Sequence, residues 1–226
     1  MGELLLGIDD AGRGPVIGPM VLAGCLIDSS KEGELRELGV KDSKQLTQKR
    51  RTFLVEKIKE RAETFEIVRV LPPEIDGMGQ EGNQRIKLNE IEARACAKII
   101  NRINKGYKEI KIVIDCPSTN ITKWKDYLLT RIENLSTLKI SCEHKADQNH
   151  IVVSAASIIA KDIREKEMDK IREKYPEGVG SGYCSDPLTI KFLEKHGKKY
   201  KDDGIFRKTW ITWKRNSLNF EQKKLI

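Results

Sequence analysis

Four aspartates, met at three places in the chain, are of a type and spacing to do chemistry together: Asp9 with Asp10, Asp115 and Asp147. Each lies at or just beyond the end of a short apolar or alternating run, over residues 4–8, 109–114 and 138–143. Runs of this length read as strands, and in an open α/β sheet strand ends gather along one edge, where ligands bind. Carboxylates gathered there repel unless a cation sits among them. Oxygen donors without a Cys/His set favour magnesium or manganese over zinc. Two such ions can activate a water and stabilise the leaving oxygen of a phosphodiester. Adjacent strand residues face opposite ways, so Asp9 and Asp10 approach one cation from different angles. Gly12, Arg13 and Gly14 follow, a bare backbone around one guanidinium that suits a phosphate. The same residues also suit a strand that simply ends in a turn.

The elements that must position these groups can be read in order. After the turn, residues 16–27 read as a long second strand, in which Pro19 and the glycines suggest a bend or an unpaired stretch. Thr47 is a sound N-cap for a basic helix to about residue 62. A strand over 65–71, a loop over 77–83 and a helix over 89–103 precede the strand that ends at Asp115. A helix over 121–133 leads to the fifth strand, and a long helix over 152–174 begins with small residues suited to close packing on a sheet. Its charged second half reads as a solvated face. A Gly-rich loop, a short helix over 188–196 and a basic, Trp-containing tail complete the chain. The order β-β-α-β-α-β-α-β-α gives an α/β fold with a mixed sheet flanked by helices and a C-terminal helical extension. The expected division is residues 1–178 and 179–226.

The chain has 226 residues, enough for one sizeable core, and 42 Lys and Arg against 34 acids, a net charge of +8. That excess favours a polyanionic partner, nucleic acid first. Cys25, Cys96, Cys116, Cys142 and Cys184 are scattered, with no C-x-x-C pair, so neither a disulfide framework nor a zinc knuckle is indicated. No signal peptide precedes the first strand, and no apolar run nears the roughly 18 residues of a membrane span. The expectation is a soluble, cytoplasmic monomer without membrane attachment.

Gly7-Ile8-Asp9-Asp10-Ala11-Gly12-Arg13-Gly14, Lys41-Asp42-Ser43-Lys44-Gln45-Leu46, Ile114-Asp115, Glu143-His144-Lys145-Ala146-Asp147, Ala155-Ala156-Ser157-Ile158-Ile159-Ala160-Lys161 and Gly180-Ser181-Gly182-Tyr183 occur in that order. Together they resemble ribonuclease HII, the type 2 ribonuclease H, in its archaeal form. The resemblance implies a ribonuclease H-like fold and a metal-dependent endonuclease. Such an enzyme cuts the RNA strand of RNA–DNA hybrids and cuts 5′ of ribonucleotides embedded in duplex DNA, leaving 3′-hydroxyl and 5′-phosphate ends. It implies that Asp9, Asp10, Asp115 and Asp147 hold Mn2+ or Mg2+, two ions during catalysis. It also implies that Gly12, Arg13, Gly14 and Tyr183 read the ribose 2′-OH, the group that separates RNA from DNA. Ser43 and Lys44 are then expected on backbone phosphate, setting register without reading sequence. The chain departs from the family in two places: Asp10 stands where glutamate is usual, and Gln148-Asn149-His150-Ile151 replaces an aromatic–proline pair.

Other residues read more plainly. His144 and His150 suit a proton shuttle, a metal ligand or a structural role. Cys116 reads as a small buried residue, Trp124 as core and Asp186 as a cap. Trp210 and Trp213, among Arg207, Lys208, Lys214 and Arg215, suit either nucleic acid or packing. The last seven residues carry part of a sliding-clamp-binding peptide, Gln222 with an aliphatic residue three places on, without its closing aromatic pair.

Overall fold

The computed structural model describes residues 2–40, 46–77, 86–106 and 109–222. Among the described residues, five strands form one mixed sheet: β1 (Leu4–Ala11), β2 (Met20–Asp28), β3 (Thr64–Val70), β4 (Ile110–Asp115) and β5 (Leu138–Glu143), in the order β3-β2-β1-β4-β5. β1 is antiparallel to β2 and parallel to β4, and β4 is parallel to β5. The helices are α1 (Glu32–Glu37), α2 (Gln48–Lys59), α3 (Pro72–Ile75), α4 (Leu88–Ile103), α5 (Ile121–Leu129), α6 (Ala146–Asn149), α7 (Ile151–Lys174), α8 (Pro187–His196) and α9 (Ile211–Gln222). The α/β class read from the order of apolar runs is the one observed. No helix among the described residues is long and apolar enough to cross a membrane.

The chain divides into two compact units. The first takes in Met1–Ala11, Val21–Val68 and Lys87–Ile163. Its sheet is covered on both faces, which is why β1 and β2 are apolar almost throughout; Leu6 and Ile8 are fully buried. Two glycines allow the helices to come close. A Cβ on Gly7 of β1 would stand 2.3 Å from the Val152 backbone of α7, and one on Gly24 of β2 would stand 2.3 Å from Ile99 of α4. The small residues at the start of α7 answer Gly7: Ala155, Ala156 and Ser157 are fully buried. Thr47 caps α2 through Arg50 N at 3.3 Å, as its sequence position predicts.

The second unit comprises Gly12–Met20, Arg69–Ile86 and Arg164–Ile226. Its core joins Val16, Ile17, Met168, Tyr175, Phe192, Phe206 and Trp213, with the Phe206 and Trp213 rings 4.5 Å apart. Here two expectations are corrected. Residues 16–19 are not strand, and β2 begins only at Met20. Pro15 and Pro19 have no N–H to offer a ladder, Gly18 sits at φ +89°, and the Val16 and Ile17 amides bond instead to Gly182 O. The charged second half of α7 is not a uniformly solvated face. Asp162 is buried and accepts from Gln48 and Thr52 at 3.0 and 2.7 Å, and Arg164 and Met168 are buried as well.

Candidate active site

In the first unit the register of the sheet sets two of the acids side by side. Ile8 of β1 pairs with Ile114 of β4, so Asp9 and Asp115 are the next residues of two parallel strands at the same edge. On the far side of β4, Asp115 pairs with Glu143 of β5. The Asp115 carboxylate accepts from Ala146 N at 3.0 Å, which ties the start of α6 to the end of β4. Asp147 is the next residue of that helix, and its carbonyl accepts from Ser154 Oγ. Lys145 takes the left-handed conformation at φ 57° to turn the chain into α6.

Burial separates the four carboxylates. Asp9 and Asp147 are buried, whereas Asp10 and Asp115 are half-buried. Asp9 accepts from Asp10 N at 2.7 Å and receives a hydrogen bond from the Ser157 side chain of α7. Burial first, then the Asp10 charge, with a further contribution from Asp115, raises its carboxyl from 3.8 to about 8. On the opposite face, the charges of Glu92 and Asp10 add to burial in pushing the Cys96 thiol of α4 well up. The alternation read from the sequence is thus realised, with Asp9 toward α7 and Asp10 toward α4. Among the described residues, no group of three or more Asp, Glu, His or Cys side chains is placed to hold a metal ion together. Carboxylate oxygens are of the type that suits a hard divalent cation, and burial with the Asp10 and Asp115 charges favours the protonated form of Asp9.

In the second unit, Gly12 occupies φ +82°, a conformation that strains any residue with a Cβ. A Cβ there would also stand 2.4 Å from Arg164 Nε. Arg164 Nη2 donates to Ser181 O at 3.0 Å, and its Cζ lies 4.9 Å from the centre of the Tyr183 ring. One buried guanidinium therefore lies against both the glycine turn and the tyrosine loop. Tyr183 is 40% exposed, so part of its side chain is open to a ligand beside the Arg164 contact. Asp186 holds the same loop by accepting from Ser181 N at 2.6 Å and Ser181 Oγ at 2.7 Å, and it caps α8 through Leu188 N at 2.9 Å.

Ser43 and Lys44 lie outside the described residues, as do the last four residues of the tail. His144 Nδ1 is 3.0 Å from Cys116 O, and His150 Nε2 is 2.9 Å from the Glu143 carboxylate. Cys116 and Trp124 are buried, as expected. The sequence reading passed over Glu92 and Arg164, gave Ser157 no role beyond its motif, and took Arg207 only as one of the basic residues around Trp210 and Trp213. Ser157 and Arg164 are seven residues apart on α7, two helical turns, so their shared face was open to detection. Glu92 is a buried acid one turn before Cys96 on α4. The basic, Trp-containing neighbourhood of Arg207 does not point to its partners, which lie at the other end of the chain.

A family model for ribonuclease HII matches residues 6–213. Ribonuclease HII of Methanocaldococcus jannaschii is 43% identical over 233 residues, covering 99% of each chain. The crystal structure of ribonuclease H2 from Pyrococcus horikoshii superposes with a TM-score of 0.83 at 36% identity, covering 96% of this chain and 99% of that one. The Archaeoglobus fulgidus enzyme, solved as a PCNA:RNase HII complex, gives 0.77 at 36% identity, covering 92% and 95%. These matches run through the strand-end carboxylates, the glycine–arginine turn and the tyrosine loop alike, and on them the chain belongs to the ribonuclease HII family, ribonuclease H enzymes acting on RNA–DNA.

Proposed function

We propose that this chain is a divalent-metal-dependent endonuclease that hydrolyses the RNA strand of RNA–DNA hybrids and cuts 5′ of single ribonucleotides in duplex DNA. The observation that carries this reading is the parallel register of β1 and β4, which sets Asp9 beside Asp115. Asp9, Asp10, Asp115 and Asp147 would hold one or two Mg2+ or Mn2+ ions, and a bound ion supplies a more acidic water and neutralises charge at the phosphate. Ser157 and the Asp10 amide orient the Asp9 carboxylate, and Ala146 N orients that of Asp115. Water displaces the 3′-oxygen at phosphorus, giving 3′-hydroxyl and 5′-phosphate ends. Gly12, Arg13 and Gly14 with Tyr183 select the ribose, and Ser43 and Lys44 hold backbone phosphate. Residues 1–178 do the cutting, and the extension 179–226 supplies Tyr183.

The test uses an end-labelled RNA strand in a DNA hybrid, with magnesium, manganese or EDTA. Cleavage only with metal, lost in Asp115→Asn, supports the proposal. Hybrid bound but uncut in both metals would mark a binding module instead. The PCNA partner of the A. fulgidus protein and the Gln222-containing tail support a second, separate interaction with a sliding clamp. A pull-down with and without the last seven residues tests it.

A further inference from the structure

The turn after β1 is held by one side chain from the far end of the sequence. Arg207 is fully buried. Its Nη2 donates to Gly12 O at 2.5 Å and Gly18 O at 3.0 Å, its Nη1 to Arg13 O at 2.7 Å, and its Nε to Gly18 O at 3.2 Å. Trp210 continues the pattern. Its Nε1 donates to Gly14 O at 2.9 Å, and its ring centre lies 5.0 Å from Arg207 Cζ. The surrounding backbone is bonded too, Arg207 N to Val16 O and Gly18 N to Ile205 O, each at 2.9 Å. Three successive carbonyls, from Gly12 to Gly14, are thereby taken by residues 207 and 210.

That arrangement fixes the amides. In a trans peptide the carbonyl of one residue and the N–H of the next point to opposite sides. With Gly12 O and Arg13 O drawn toward Arg207, the N–H groups of Arg13 and Gly14 are turned away from it. Gly14 is exposed, and a Cβ built on it would meet nothing within 4 Å, so a ligand can reach this backbone closely. Gly12, by contrast, is walled in by Arg164 and Pro19 O.

We propose that Arg207, braced by Trp210, is a positioning residue for ribose selection: it holds the carbonyls of the turn so that the Arg13 and Gly14 amides donate to the 2′-oxygen of a ribonucleotide. The inference rests on the reading of that turn as the ribose-selecting element. Arginine suits the role because its planar fork of five donors spans several acceptors at fixed angles, which the single ammonium of lysine cannot do.

The experiment measures binding in EDTA, where nothing is cut, to two DNA duplexes that differ only by one 2′-OH. Wild type is compared with Arg207→Lys, Trp210→Phe, Gly14→Ala and Tyr183→Ala. For Arg207→Lys the preference for the ribonucleotide duplex should fall about tenfold, the worth of about one hydrogen bond, with affinity for the all-DNA duplex within about twofold. A merely structural role would weaken both duplexes equally, and that result overturns the proposal. An unchanged preference in folded Arg207→Lys does the same. Should Arg207→Lys fail to melt cooperatively, Trp210→Phe decides, since it keeps an aromatic ring against Arg207 and removes the bond to Gly14 O. A fall of about threefold supports the proposal, and no change overturns it. If Gly14→Ala and Tyr183→Ala lose the preference while Arg207→Lys keeps it, the positioning role alone fails. If every variant keeps it, the ribose reading fails, and the inference with it.

Discussion

Replacing Asp9 by asparagine should stabilise the metal-free protein while abolishing its activity. Burial and the neighbouring carboxylates raise Asp9 from 3.8 to about 8. A carboxyl raised on folding contributes its stability in full below the unfolded value and loses it as pH rises through the folded one. At pH 7 the native chain therefore retains a proton that the unfolded chain has released. At about 1.4 kcal/mol per pH unit from 3.8 upward, this disfavours the fold by at most about 4 kcal/mol. Asparagine carries no charge, and its Oδ1 can still accept from Asp10 N. For a chain of this length each kcal/mol moves the melting temperature by about 2–4 °C, so Asp9→Asn should melt up to about 16 °C higher at pH 7 in EDTA. The gap should be small near pH 4, widen toward pH 8, and shrink when magnesium is added, because the cation stabilises wild type alone. Thermal melts across pH, with EDTA or magnesium, read all three effects. A variant melting at or below wild type at pH 7, with a gap indifferent to pH, would refute the electrostatic account of this edge.

Three further outcomes are expected. Tyr183→Ala should lower kcat/KM on a single embedded ribonucleotide by about 10–100-fold, the worth of one aromatic platform; an unchanged rate in steady-state cleavage assays removes Tyr183 from substrate selection. Asp186→Ala should cost about 1–2 kcal/mol in urea unfolding at neutral pH, because it loses the α8 cap and the Ser181 bonds. Those bonds, the Ser181 N–H first, hold the Asp186 carboxyl below its ordinary 3.8. Its stability is thus present above that value and lost as pH falls through the lower folded one, so the gap should close in acid. Asp10→Glu extends the carboxylate by one methylene and should raise the single-turnover rate in magnesium by about tenfold; a slower variant would mean that the edge has adapted to the shorter acid.

Much of the carboxylate edge was legible because a strand end is a local pattern. Apolar residues up to Ile8 and Ile114 followed by Asp9 and Asp115 carry that pattern without tertiary knowledge, and helical crossovers make the strands parallel. Residues 16–19 read as part of a strand, with an unpaired stretch allowed at Pro19 and the glycines, because hydrophobicity that serves the second unit's core resembles that of a ladder. The apolar pattern looks the same in both cases, and only the prolines and Gly18 distinguish them. The buried charges of α7 and Arg207 were not legible for a different reason. A buried Asp162 or Arg207 is tolerated when hydrogen bonds replace water, and those partners, Thr52 for the first and the Gly12 carbonyl for the second, are distant in sequence. Periodicity reports which face is apolar, not which polar groups find company inside.

On the proposed reading, strand-end carboxylates and a ribose-selecting turn together cut ribonucleotide-containing duplexes with a divalent metal. That reading is tested most directly with an end-labelled DNA duplex carrying one ribonucleotide, incubated with magnesium, manganese or EDTA beside an all-DNA control. The expected result is one cut, 5′ of the ribonucleotide, in the presence of metal only, and none in the control. Bound but uncut duplex in both metals, or cleavage of the all-DNA control at a similar rate, would contradict it.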